Sequence, residues 1–515
     1  MLYLPRDTPM TDLLSRRRFL LASGTGIAAL SGLPGRLLAD PYAPLPGLMR
    51  PRGAVRVRGR VTAARRGLAG VAVSDGLAVT RTDREGRYSL VSDGSRPWVF
   101  VSLPRGCRIP VQPTGTSRLH QPLRPDSEGE ARADFTLEPD EGSLDHRFYL
   151  LADPQTQDAF EMGRLHAETV PDVRRAALAA GGTAFGIACG DIMFDRLELF
   201  PEYERAVQAM GIPFFQVVGN HDLDFQARTT EASTATFERH FGPAWYSFDV
   251  GAVHYVVLND VLWYGDGYVG YVTATQLAWL AADLAGIEAG RTVVVALHIP
   301  LASTYAARTG DTNDDERDRV NNREALLRLL EPYRAVVFSG HTHESETVAH
   351  GAVLEYTLGA VCGAWWSGDI CWDGTPNGFG EIEVLGEELR VRYRATGRPA
   401  AAQMTLHPAG ADPSAPDEMV ANVWGWDPRW TVVWYENGER RGRMVRRPSL
   451  DPRAVREQRG PDLPLRRKWV EPARTAHMFF APVGPDTREI TVEATDPWGR
   501  VARETLPIGA GTGSR

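Results

Sequence analysis

Carboxylates, amides and imidazoles recur in this chain at the ends of short apolar runs. The runs close on Asp153-Pro154-Gln155, on Gly190-Asp191 followed by Asp195, on Gly219-Asn220-His221-Asp222, on Leu297-His298-Ile299-Pro300 and on Gly340-His341-Thr342-His343. Trp365-Trp366 and Asp373-Gly374-Thr375-Pro376 complete the set. Donors of these types suit divalent ions such as Mn, Fe or Zn. Two such ions side by side, sharing one bridging carboxylate, are a means of activating water against an ester. Taken singly, each motif has a plainer reading. His298 alone would be a satisfied core histidine, Gly340-His341-Thr342-His343 a polar turn, and the tryptophans core aromatics. Their ordered conjunction is what points to a site.

Such ligands need elements that present them from one edge. From Arg147 to about Thr396 the hydrophobic pattern predicts strands at Phe148–Ala152, Ala184–Cys189, Pro213–Val218, His254–Leu258, Thr292–Leu297 and Ala335–Phe338, and helices at Gly163–Ala180, Leu197–Met210, Thr273–Ala285 and Arg323–Leu330. Strands alternating with helices imply an α/β domain, here over 145–396. Sites in such domains form beyond the carboxyl ends of the strands, where the five ligand motifs fall. Before it, over 50–140, short runs such as Val55-Arg56-Val57-Arg58-Gly59-Arg60-Val61 alternate with period two and predict a β-sandwich module. After it, over 400–510, runs such as Trp430-Thr431-Val432-Val433-Trp434-Tyr435 predict a second all-β module.

At 515 residues with a formal net charge of -8, the chain exceeds one ordinary domain, and its acidity argues against nucleic acid as the main partner. An anionic substrate would need a local positive site, which bound metal would supply. Ser15-Arg16-Arg17-Arg18-Phe19-Leu20 ahead of a weakly apolar stretch reads as a twin-arginine signal peptide over 1–39. That predicts export by the twin-arginine machinery and a periplasmic or secreted mature form. No later segment is apolar enough for a spanning helix. The four cysteines lack paired C-x-x-C spacing, which argues against a zinc ribbon. Either Cys362 and Cys371 pair across a loop in an oxidising periplasm, or all four cysteines are buried or inert thiols.

The motifs, in this order, resemble the calcineurin-like metallophosphoesterase family. The flanking β-modules and the Trp-Trp and Asp-Gly-Thr-Pro elements further resemble a bacterial subfamily with N- and C-terminal caps. The resemblance implies a β-sandwich core with flanking helices and two divalent metal ions. It places Asp153, Gln155, Asp191 and His343 on the first ion, and Asp191, Asn220, His298 and His341 on the second, with Asp191 bridging. It implies hydrolysis of a small phosphate ester by metal-activated hydroxide. His221 would protonate the leaving oxygen and Asp222 would orient that imidazole, while Asp195 would hold its own loop. Many relatives carry His where this chain has Gln155, which either favours harder ions such as Mn²⁺ or moves that residue out of the coordination shell. Trp365, Trp366, Asp373 and Asn377 are candidates for holding an organic group, which favours a phosphodiester over a monoester or nucleotide. A non-catalytic envelope-binding protein with a relic metal site, and a hydrolase of non-phosphate esters, are the alternatives. Asp314, Asp315, Glu316 and Asp318 read as a solvated loop.

Overall fold

The computed structural model describes residues 53–140, 142, 144–310 and 315–508. The segment read as a signal peptide, 1–39, and Asp314 lie outside the described residues.

Two mixed sheets form the centre. One runs Phe214–Val217, Thr183–Cys189, His146–Leu151, Gly378–Leu385, Glu388–Ala395, its first three strands parallel. The other runs Tyr246–Val250, Val253–Val257, Thr292–Ala296, Arg334–Ser339, Val353–Thr357, Glu346–His350, with the middle four parallel. Phe214–Val217, Val253–Val257 and Thr292–Ala296 are buried at every position, as strands covered on both faces must be.

The sheets face one another through aromatic rings. Phe148 meets Tyr255 and Phe338 edge-on at 5.4 and 5.8 Å, and Phe215 stacks on Phe248 at 3.7 Å. Helices Val170–Ala180, Phe200–Met210, Ala274–Leu284 and Arg323–Leu330 flank them. The stretch expected as one helix from Gly163 is Ala159–Arg164 and Val170–Ala180 joined by one turn of π-helix, its start capped by Asp158.

In the N-terminal region Val55–Ala63 pairs antiparallel with Arg87–Ser92 and parallel with Glu130–Arg132 and Phe135–Leu137, and a second sheet is built on Ala72–Ser74 and Trp98–Val101. Arg87–Ser92 alternates strictly between exposed and buried residues, so one face is apolar. That face belongs to the same apolar core as the central sheets. Trp245 and Trp279 donate their indole N–H groups to the Gly76 carbonyl and the Ser74 hydroxyl, and Arg96 pairs with Glu238 across the seam. The C-terminal strands form two four-stranded sheets with a largely separate core around Met419, Val432, Ile490 and Val492. All four cysteines are free thiols, so Cys362 and Cys371 do not pair.

Candidate metal centre

Each ligand motif leaves the carboxyl end of a parallel strand. Asp153 follows His146–Leu151, Asp191 follows Thr183–Cys189, Asn220 follows Phe214–Val217, His298 follows Thr292–Ala296, and His341 and His343 follow Arg334–Ser339. The first three come from one sheet and the others from the second, so the site sits where the two sheets end together.

The turns that make this convergence are strained. Asp153, Gln155, Asp191, Asp195, His341, His343, Trp365 and Trp366 all have φ between 39 and 72°. Left-handed backbone at non-glycine residues costs roughly 1–3 kcal/mol each and persists where a site demands it. The glycines supply close approach. A Cβ on Gly219 would lie 2.3 Å from Asp191 Oδ1, and one on Gly340 would lie 2.5 Å from Asp153 Oδ2.

Asp191 is the hub. Its Oδ1 lies 3.3 Å from His298 Nε2 and accepts the His221 backbone N–H at 2.9 Å. Ligand atoms of Asp191, His298 and His341 lie within 4.8 Å of one another. Asn220 Oδ1 is 3.0 Å from His298 Nε2. On the other flank Asp153 Oδ1 is 3.7 Å from His343 Nε2, and its carboxylate accepts the His341 backbone N–H at 2.9 Å.

The rings are oriented as ligands. Nδ1 of His298 faces the Cys189 carbonyl at 2.8 Å, and Nδ1 of His343 faces the Gly363 carbonyl at 2.7 Å. A carbonyl only accepts, so Nδ1 carries a proton in each ring, and Nε2 is the atom turned to the site.

Electrostatics favour a cation here. Burial pushes the Asp153 carboxyl up to about 8 and His343 down to about 3. Burial works against charge on His298 as well, yet Asp191 outweighs it and raises that ring to about 10. The Asp191 and Asn220 oxygens thus both turn lone pairs on the proton that His298 Nε2 holds. A divalent ion fits in place of that proton and would also ease the burial of Asp153. The donor set suits Mn, Fe or Zn.

Gln155 is placed differently from a ligand. Its Nε2 donates to Asp191 Oδ2 at 3.1 Å, while its Oε1 faces the Cys362 thiol at 3.7 Å. In this arrangement it steadies the Asp191 carboxylate.

His221 and its neighbours revise the sequence reading. Nδ1 of His221 lies 2.6 Å from Asp195 Oδ1, and Nε2 lies 4.0 Å from Asp191 Oδ2. Asp195, not Asp222, orients the ring. Asp222 is fully buried and accepts the backbone N–H groups of Ile192, Met193 and Gly219 at 2.9–3.0 Å, clamping two ligand loops together. Burial opposes charge on His221, but Asp191 and then Asp195 outweigh it, so its pKa is raised.

Of the proposed substrate residues, one faces the centre. Trp365 stacks on His343 with centroids 4.2 Å apart. Trp366 is buried and donates its indole N–H to the Pro154 carbonyl at 3.0 Å, which makes it a support for the Asp153 turn. Asp373 is buried, accepts from the Ser345 and Thr375 N–H groups and pairs with His477, so it fixes the loop after His343. Asn377 is buried with its Oδ1 packed against Gly363.

Three further features escaped sequence reasoning. Asp260 accepts the backbone N–H groups of His298 and Ile299 at 3.1 and 2.9 Å and so sets that loop. Its signal was the Asn-Asp pair closing Val253–Val257. Asp318, read as solvated, lies 3.8 Å from His341 Nε2. Trp469 of the C-terminal region tilts on Trp365 at 4.8 Å, a contact no local pattern announces.

Family models match along the chain in order. The N terminal of calcineurin-like phosphoesterase matches residues 55–140, calcineurin-like phosphoesterase 146–345, and the C terminal of calcineurin-like phosphoesterase 355–501. Similar proteins include purple acid phosphatase 15 of Arabidopsis thaliana, 31% identical over 26% of this chain and 25% of that protein. Purple acid phosphatase 23 of the same plant is 27% identical over 34% of this chain and 39% of its own length. The serine/threonine-protein phosphatase CPPED1 of Bos taurus is 30% identical over 41% of this chain and 66% of its own length. The chain therefore spans between a quarter and about two thirds of these relatives.

Proposed function

Since the chain belongs to the calcineurin-like phosphoesterase family, we propose that it is a two-metal phosphoester hydrolase, with phosphodiesters as its preferred substrates. The observation that carries this reading is the convergence of Asp153, Asp191, Asn220, His298, His341 and His343 from the ends of two sheets. Asp191 would bridge, Asp153 and His343 would serve one ion, and Asn220, His298 and His341 the other. The ions would supply Lewis acidity toward phosphoryl oxygens and an activated water. Gln155 and the His221 N–H hold the bridging carboxylate in register. His221 keeps its proton through Asp195 and presents Nε2 on the Asp191 side, the position from which a leaving oxygen is protonated. That intact pair supports an enzyme over a relic site.

Diesters are favoured because the flank of His343 is an indole wall, Trp365 backed by Trp469, suited to an organic arm. The relatives named as phosphatases support the monoester alternative. Bis-p-nitrophenyl phosphate and p-nitrophenyl phosphate, assayed with added Mn²⁺, separate the two. Turnover of the diester at least about tenfold above the monoester is the expected result. The reverse order returns the protein to the monoesterases, and loss of both activities removes the reading.

We also infer export, from Arg16-Arg17 directly ahead of the apolar run. Replacing both with Lys should leave the protein uncleaved in the cytoplasm, read by fractionation. A periplasmic double variant would point to another route.

A further inference from the structure

The segment that carries Trp469 has an unusual surface. Within Leu463–Trp469, Leu463 is 49% exposed, Leu465 96% and Trp469 49%. Phe160, 54% exposed, lies beneath the Arg466 guanidinium at 5.0 Å and extends the same ridge. A basic run, Arg466, Arg467 and Lys468, stands between Leu465 and Trp469, Lys468 being the only lysine in the chain, and Arg466 also pairs with Asp158. Arg466 and Arg467 pin the segment to the central domain through Glu161, each at 3.0 Å. Lys468 is exposed.

The ridge borders the metal centre on two sides. Trp469 packs on Trp365, which stacks on His343. The Arg467 guanidinium lies 5.0 Å over Phe194, whose ring meets His221 edge-on at 4.5 Å.

We propose that this ridge seats the protein on the surface of an anionic phospholipid bilayer, with the metal centre held at headgroup level. Leucine tips and an indole beside an exposed lysine are side chains that bind at a membrane interface, where the apolar parts sink below the headgroups and the charge stays among them. A protein partner fits less well. Three apolar side chains on this segment and one on the helix Ala159–Arg164 fall far short of the roughly 20–30 residues a side of a stable interface. No helix among the described residues is long and apolar enough to cross a membrane, so this contact lies on the bilayer. The inference goes beyond the phosphoester reading and does not need it, since binding is measured without turnover.

The test is co-sedimentation of the mature full-length chain with vesicles of equal phosphatidylglycerol and phosphatidylcholine. The wild type should sediment, and the Leu463→Ser/Leu465→Ser double variant should partition about tenfold more weakly, from lost apolar insertion. Hydrolysis of soluble bis-p-nitrophenyl phosphate, followed on the same samples, should stay within about twofold, as for surface changes that touch no functional group. A wild type that stays in the supernatant overturns the proposal, and so does a double variant that sediments equally. Light scattering that shows a wild-type dimer broken by the double substitution overturns it too, and assigns the ridge to self-association. Vesicle binding without any hydrolysis would leave the docking surface standing and remove the phosphoester reading alone.

Discussion

Asp191→Asn should empty the metal centre and abolish hydrolysis. The native carboxylate faces His298 Nε2 with one oxygen and Gln155 Nε2 with the other, and also takes the His221 N–H. Burial opposes its charge, but His298 outweighs it and holds Asp191 well below the usual carboxylate range. Asn keeps the shape, removes the charge and offers an N–H₂ where an acceptor stood, so at least one of the three groups turned on that carboxylate loses its partner. Outer-shell changes at metal sites already cost about 10–100-fold in affinity, and a bridging ligand should cost at least the upper end of that range. Elemental analysis should find close to two transition ions per wild-type chain and well under one in the variant. Full dimetal occupancy in Asp191→Asn would sink the bridging assignment.

The elements that set the site were legible because apolar runs of four to seven residues, rich in β-branched side chains and closed by turn residues, suit a strand covered on both faces. Thr292–Ala296 and Thr183–Cys189 were readable from their own residues, and the polar residue after each followed. The flanking strands Gly378–Leu385 and Glu388–Ala395, which extend the first sheet, carry charges at several positions and gave no such signal.

What was not legible is the direction in which adjacent residues turn. Asp222 follows His221 in sequence, so proximity suggested that it orients the ring. The tight turn instead sends its carboxylate back to three backbone N–H groups, while Asp195, beyond a left-handed residue of its own, reaches the imidazole. Trp365 and Trp366 are neighbours too. Both have left-handed backbone, with φ of 51 and 58°, and the chain twists one indole onto His343 and the other into the core. Asp373 reads as a site carboxylate, yet it closes an Asx turn on the Thr375 N–H at 2.8 Å, a use that Asp-Gly-Thr also encodes. Trp469 comes from about a hundred residues beyond Trp365, and only the packing of the C-terminal region reveals it.

His221→Ala should keep both metals and lose roughly 10²–10⁴-fold in kcat on esters with poor leaving groups. The side chain offers Nε2 on the site side and spends Nδ1 on Asp195, so its removal takes away a proton source and leaves the ligands in place. The loss should shrink on p-nitrophenyl esters, because that leaving group departs without a proton. Two neighbours sharpen the assignment. Asp195→Asn should show a weaker form of the same leaving-group dependence, since it disturbs the ring's orientation and its raised pKa together. Asp222→Asn should instead cost about 1–3 kcal/mol of stability, by turning a buried acceptor of backbone N–H groups into a donor, with little selectivity between leaving groups. An equal loss on alkyl and nitrophenyl esters in His221→Ala, with metals still bound, would take the acid role away from His221. Leaving-group dependence in Asp222→Asn but not in Asp195→Asn would restore the arrangement that adjacency in the sequence suggests.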